Sequence, residues 1–315
     1  MKIHLARHYG MCFGVRDALR KTHELASRQP VTILGQLVHN PVVSAHLRTL
    51  GAREGDLASP GHSSTHDVVI TAHGASDKDR AAWREAGHAV ADTTCPLVRK
   101  AHHALARLAA AGYAPVIIGK KGHVEVRGLA GDFPEAIIVE TEADLADVPR
   151  AEKIGIVSQT TQPVLRVRNF VRQIESLRPG SEVRFVDTVC QPTKDRQASL
   201  ESLCRECQVV VVVGGANSNN TRELAATAAA LGARSHQVEG PDDLDPRWFA
   251  GAENVGVTAG TSTLDETVES VVQRLRLIAA AQTPARASVL ERLARFTGRG
   301  EATRHEEASR PGAAA

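Results

Sequence analysis

The segment Thr93-Thr94-Cys95-Pro96-Leu97-Val98 opens TTCPLVRKAHHALARLAA (93–110), and the chain repeats its pattern twice, as GMCFGVRDALRKTHELA (10–26) and TVCQPTKDRQASLESL (188–203). In each copy a cysteine in a polar loop precedes a run with helical spacing of apolar residues. Two copies share a longer frame, Asp92-Thr93-Thr94-Cys95 and Asp187-Thr188-Val189-Cys190. The cysteines lie 95 − 12 = 83 and 190 − 95 = 95 residues apart.

Outward from these loops, short β-branched runs alternate with longer Ala/Leu/Arg segments. The runs are VTIL (31–34), DVVI (67–70), APVII (114–118), KIGIV (153–157), EVRFV (182–186), QVVVVV (208–213) and NVGV (254–257). Such alternation predicts βαβ units, with parallel sheets covered by helices. Ligands in such folds sit beyond the carboxyl ends of the strands. A second strand in each third ends in a polar loop, holding His39, His123 and Ser218 at offsets of 39 − 12 = 27, 123 − 95 = 28 and 218 − 190 = 28 from the cysteine. A third strand ends in loops with His73 (TAHG), Thr160 (SQTT) and Ser262 (AGTS). The pattern predicts three similar α/β units, 1–94, 95–189 and 190–282, with mostly parallel sheets around a pseudo-threefold axis. Their strand ends face a common centre, and the first few residues pair with the last unit. Residues 283–315 form a tail, with a short amphipathic helix over 288–296 and disorder beyond it.

Composition narrows the function classes. With 315 residues and 42% hydrophobic residues, the chain can bury a sizeable core. A net charge of 38 − 36 = +2 gives no support to a polyanion-coating protein, and 3% aromatics argue against a base-stacking platform. No apolar run reaches the ~18–20 residues that span a bilayer. The start has no apolar signal core. Five cysteines are too few for a disulfide scaffold, so a reducing cytoplasm is expected, with no membrane or nucleic-acid partner.

Cys12, Cys95 and Cys190 each precede a helix, where backbone amides favour thiolate. Three thiolates meeting at the axis require a cation between them. Zinc with one water, or a 4Fe–4S cluster with one iron lacking a protein ligand, both satisfy that demand, and spacing does not choose. Cys204 and Cys207 form a CxxC, but with Leu200 and Leu203 they fall at helical spacing and read as core. The loop Gly214 to Asn220 (GGANSNN), with Ser218, Asn219 and Asn220, offers amide, hydroxyl and helix-start donors to an anion, and Ser262 does the same. With His39, His73 and His123 these suit a diphosphate. Neither GxGxxG in the first βα turn nor GxxxxGK[ST] occurs. Glu125, two residues after His123, would share a face with it in an extended loop. A carboxyl group beside an anionic ligand makes sense as a proton donor, with Thr160 hydrogen-bonded to it or to the ligand.

The ordered set GMCFGV, LVHN, TAHG, DTTCPLV, GHVEV, SQTT, Arg196-Gln197, NSNN and TAGTS resembles the 4-hydroxy-3-methylbut-2-enyl diphosphate reductase (LytB) family over residues 1 to about 280. The resemblance implies a trefoil of three α/β units around a central iron–sulfur site. It implies one 4Fe–4S cluster per chain on Cys12, Cys95 and Cys190. It implies a diphosphate pocket of His39, His73, His123, Ser218, Asn219, Asn220 and Ser262, with Glu125 as proton source and Thr160 at the substrate hydroxyl. The implied reaction is reductive dehydroxylation to isopentenyl and dimethylallyl diphosphate, with electrons from a ferredoxin- or flavodoxin-type donor. Met11, Val124, Asn219 and Leu264 depart from residues frequent in the family, and none removes a ligand or proton donor. Two other readings of the same residues are a non-catalytic iron–sulfur redox sensor and a zinc-dependent phosphoester hydrolase.

Overall fold

Val209–Val213 are five consecutive valines, all fully buried. A strand apolar on both faces belongs to a parallel sheet covered by helices on both sides. The computed structural model of the chain describes residues 1–38 and 41–282. Among these, strands β1 (Lys2–Leu5), β2 (Val31–Leu34), β3 (Ala52–Gly55), β4 (Asp67–Ile70), β5 (Ala89–Asp92), β6 (Ala114–Ile118), β7 (Ile137–Val139), β8 (Lys153–Ser158), β9 (Glu182–Phe185), β10 (Val209–Val213), β11 (Arg234–Val238) and β12 (Asn254–Ala259) form three four-stranded sheets. The sheet orders are β3-β2-β4-β5, β7-β6-β8-β9 and β11-β10-β12-β1, and every pairing is parallel.

The order is the same each time. β1 takes the place in the last sheet that β5 and β9 hold in the others, with Lys2 opposite Asn254. The expected pairing of the first residues with the last unit is therefore present. Besides β1, four strands lie outside the β-branched runs of the sequence: β3 (AREG), β5 (AVAD), β7 (IIV) and β11 (RSHQV). All four are edge strands, short and partly open to solvent, and none holds more than three consecutive apolar residues.

The described helices are α1 (Phe13–Ala26), α2 (Pro41–Thr49), α3 (Asp77–Glu85), α4 (Pro96–Ala110), α5 (Val124–Ala130), α6 (Val164–Leu177), α7 (Gln191–Glu206), α8 (Asn219–Ala230) and α9 (Asp265–Gln282). α1, α4 and α7 each follow the fourth strand of one sheet and pack on the next. Ala18 and Ala26 of α1 join Val31, Ile33 and Val69. Leu105 and Leu108 of α4 join Ile117 and Val157. Leu200 and Leu203 of α7 join Val210 and Val212. The three cysteine loops are thus the joints between successive sheets. Cys204 and Cys207 pack into the core under α7, as their helical spacing predicts. The expected tail helix over 288–296 and the disorder beyond it lie outside the described residues.

Candidate functional site

Cys12, Cys95 and Cys190 occupy one kind of position: each is the N-cap residue, in extended backbone or close to it, of α1, α4 or α7. Pro96 and Pro192 stand in the first turns of α4 and α7, where a missing N–H costs nothing. The shared Asp-Thr frame explains how two of the loops are held. Asp92 Oδ1 accepts from Thr94 N at 2.9 Å, and Asp187 Oδ1 from Val189 N at 3.1 Å. Thr93 Oγ1 donates to Ile70 O at 2.6 Å, and Thr188 Oγ1 to Ser158 O at 2.6 Å. Each cysteine amide is then tied to the polar loop of the neighbouring strand. Cys95 N donates to Ala72 O at 3.1 Å, within TAHG, and Cys190 N to Thr160 O at 2.9 Å, within SQTT. The matched loops of the sequence are therefore joined by backbone hydrogen bonds.

The joints converge. Ionised Cys12 or Glu125 would push up the thiols of both Cys95 and Cys190. A Cβ placed at Gly14, two residues after Cys12, would overlap Cys95 Sγ. All five cysteines are free, and those of the repeat are half-buried. Burial pushes the Cys95 thiol up, outweighing the amides of Leu97 and Val98, and burial likewise outweighs the hydrogen bonds of Thr193 at Cys190. The helix-start amides therefore act in the expected direction without making these two groups thiolates on their own. A coordinated metal deprotonates a thiol outright.

Among the described residues no three His, Cys, Asp or Glu side chains are grouped to hold a single metal ion. Three free thiols at three helix starts form an all-sulfur donor set, the chemistry that iron–sulfur clusters take. A four-iron cluster, being larger than one ion, spaces its thiolates further apart.

Glu125 is 1% exposed. Thr160 N donates to its Oε1 at 2.6 Å and Thr160 Oγ1 to its Oε2 at 3.1 Å. Burial pushes the carboxyl up to about 7, against the pull of both Thr160 hydrogen bonds. The segment from His123 is not an extended loop. His123 caps α5 and Glu125 stands in its first turn, because His123 Nδ1 accepts from Glu125 N at 3.2 Å. The helix still turns both side chains into one cleft, and Val124 holds the first helical position without proline. Because Nδ1 is the acceptor, Nε2 of neutral His123 carries the proton.

That cleft has a volume of about 50 Å³. Val15, Leu37 and Val38 form an apolar wall; His73, His123, Glu125, Thr161, Ser218, Asn219, Asn220, Thr261 and Ser262 supply polar groups. His73 and His123 meet edge to face, with ring centroids 5.6 Å apart. Ser218 caps α8, its hydroxyl accepting from Thr221 N at 3.4 Å. Among the described residues, the Nδ2 atoms of Asn219 and Asn220 are buried without a protein partner. His39 lies outside the described residues. Thr160 spends both polar groups on Glu125, and its neighbour Thr161 lines the cleft. Thr161, Thr261 and the apolar wall escaped the sequence reading. Position beside the matched loops was the available signal for the threonines; Val15, Leu37 and Val38 look like ordinary core residues.

The LytB protein family model matches residues 3–276. The 4-hydroxy-3-methylbut-2-enyl diphosphate reductase of Geobacter metallireducens is 36% identical over 285 residues, covering 90% of this chain and 100% of that protein. The enzyme of the same name from Aquifex aeolicus is 35% identical over 286 residues, covering 88% and 97%. The solved E-1-hydroxy-2-methyl-but-2-enyl-4-diphosphate reductase of Plasmodium falciparum superposes with a TM-score of 0.80 at 27% identity, over 86% of each chain. A solved (E)-4-hydroxy-3-methyl-but-2-enyl diphosphate reductase gives a TM-score of 0.64 at 34% identity, over 88% of this chain and 100% of that one. With its three parallel sheets, its matched cysteine joints and these relatives, the chain belongs to the LytB protein family.

Proposed function

We infer that this chain is a 4-hydroxy-3-methylbut-2-enyl diphosphate reductase, an iron–sulfur oxidoreductase of the non-mevalonate isoprenoid pathway. Two electrons and two protons enter, the allylic C–O bond breaks, a C–H bond forms, and water leaves, giving isopentenyl and dimethylallyl diphosphate. The observation that carries the reading is a buried carboxyl group, Glu125, which burial pushes up to about 7, facing unpaired amide donors across one cleft.

Cys12, Cys95 and Cys190 would hold one 4Fe–4S cluster. When bound, such a cluster supplies single electrons and one iron without a protein ligand, a Lewis acid for the substrate oxygen. The chain's own residues do the rest. Asn219 and Asn220 present Nδ2 donors, Ser218 and Ser262 present hydroxyls, and His73 and His123 present imidazoles to the diphosphate, with His39 completing the set. The proton on His123 Nε2 faces the ligand because Nδ1 is held by the α5 amide. Glu125 gives its proton to the leaving hydroxyl, and Thr160 keeps the carboxyl in place and stabilises the carboxylate left behind. Val15, Leu37 and Val38 cover the hydrocarbon part and exclude water.

The units run over 1–94, 95–189 and 190–282, with β1 added to the last. No described helix is long and apolar enough to cross a membrane. The reading places the enzyme in the cytoplasm, fed by a ferredoxin- or flavodoxin-type carrier.

The test is an anaerobic assay of iron-loaded protein with reduced carrier and the hydroxy-butenyl diphosphate, following both products. Brown protein carrying about four iron per chain that forms neither product would overturn the reading in favour of a sensor. Colourless protein with stoichiometric zinc would point to a hydrolase.

A further inference from the structure

Arg196 belongs to α7, and its side chain runs back toward the cysteine joints. It is 5% exposed. Nη2 donates to Gly10 O at 2.5 Å and Nη1 to Pro192 O at 2.8 Å. Gly10 lies two residues before Cys12, and Pro192 two residues after Cys190. One guanidinium therefore clamps the first cysteine loop to the helix that Cys190 caps. Among the described residues Nε is buried without a hydrogen-bond partner, and no carboxylate lies within ion-pair distance of the group.

A buried cation without a counter-charge is costly, and arginine cannot shed its proton to escape that cost. Cys12 and Cys190, once ionised, and Asp195 favour the cation, and Arg16 opposes it. The two cysteines come first among the favourable ones. An anion held by those cysteines would meet this charge.

We propose that Arg196 is a positioning residue that supplies the fixed counter-charge of the iron–sulfur site, favouring assembly of the cluster and its reduced form. The proposal rests on the reductase reading given above. A 4Fe–4S core of charge 2+ on three thiolates carries a net charge of −1. One electron from an external reductant makes it −2 and oxidises that reductant, with no bond made or broken and no proton moved. A fixed positive charge nearby favours the more negative state, and the two carbonyl contacts hold it there before any electron arrives.

The experiment compares the parent, R196K and R196Q as full chains loaded with iron and sulfide anaerobically. Both variants keep a hydrogen-bond donor for the carbonyls, and only lysine keeps the charge. Iron per chain is measured, and the cluster is titrated with dithionite while the spin signal of the reduced form is followed. At fixed potential, R196Q is expected to show about a tenfold lower ratio of reduced to oxidised cluster. That ratio corresponds to a midpoint ~59 mV more negative for one electron. R196K is expected to stay near the parent. Failure of R196Q alone to load iron would also support the proposal. An R196Q midpoint equal to the parent's would overturn it, as would an equal fall in R196K or loss of iron in both variants, since each of these assigns Arg196 to holding the loops. A parent that binds no cluster would instead overturn the reductase reading, and so be told apart.

Discussion

Glu125 and Thr160 are 35 residues apart in the chain, yet Thr160 donates to both carboxyl oxygens of Glu125, through its amide at 2.6 Å and its hydroxyl at 3.1 Å. α5 supplies the acid and the loop after β8 supplies its clamp. The clamp favours the carboxylate and burial favours the neutral acid; burial prevails.

The sign of the pH dependence follows. The folded carboxyl is raised from its ordinary 4.5 to about 7. A proton donor with that value is loaded below pH 7, so kcat should fall as pH rises through about 7. Glu125→Gln should bind diphosphate, turn over very slowly and lose this limb. A raised acid also makes the fold most stable below about pH 4.5, with roughly 3 kcal/mol lost as pH climbs through 7. Melting curves should therefore show Glu125→Gln gaining on the parent at pH 8 relative to pH 4.5. Thr160→Val removes a bond that favours the charged form, so its alkaline limb should move up; a downward move contradicts the clamp.

Asn219 and Asn220 keep buried Nδ2 donors without a protein partner among the described residues. An unpaired buried donor costs about 1–3 kcal/mol, and truncation removes that penalty from the free protein. Asn220→Ala should melt no lower than the parent while its KM for the diphosphate rises about tenfold. A lower melting temperature with unchanged KM would mean the amide serves the fold.

Gly14 has ordinary helical backbone, but a Cβ there would overlap Cys95 Sγ. Gly14→Ala should push α1 away from the α4 joint, costing about 1–3 kcal/mol and lowering iron retained after reconstitution. Gly61 has open space around its Cα, so Gly61→Ala is the control expected to change neither.

Cys95→Ser and Cys204→Ala should behave oppositely. The first removes a donor at a joint and should lose iron on gel filtration. The second trims a half-buried side chain on the core-facing side of α7 and should keep it. Iron analysis of both proteins decides, and loss of iron in Cys204→Ala would contradict the packing assignment.

Composition and periodicity by themselves determined the α/β class, the threefold recurrence of strand-end loops and the three cysteines that recur with them. These are local properties: β-branched runs such as Val209–Val213 are buried strands wherever they fall, and Cys-Pro before an apolar stripe starts a helix. Edge strands such as AREG were hidden because half-solvated strands need no apolar run. Only the tertiary structure decided that His123 caps a helix rather than lying in an extended loop, and that Thr160 serves Glu125 while Thr161 faces the cleft. It alone shows Arg196 bridging Gly10 and Pro192, with no carboxylate in ion-pair contact among the described residues. Those outcomes depend on which groups meet across separate units, and on the competition between burial and hydrogen bonding at each, a balance that exists only once the sheets have packed.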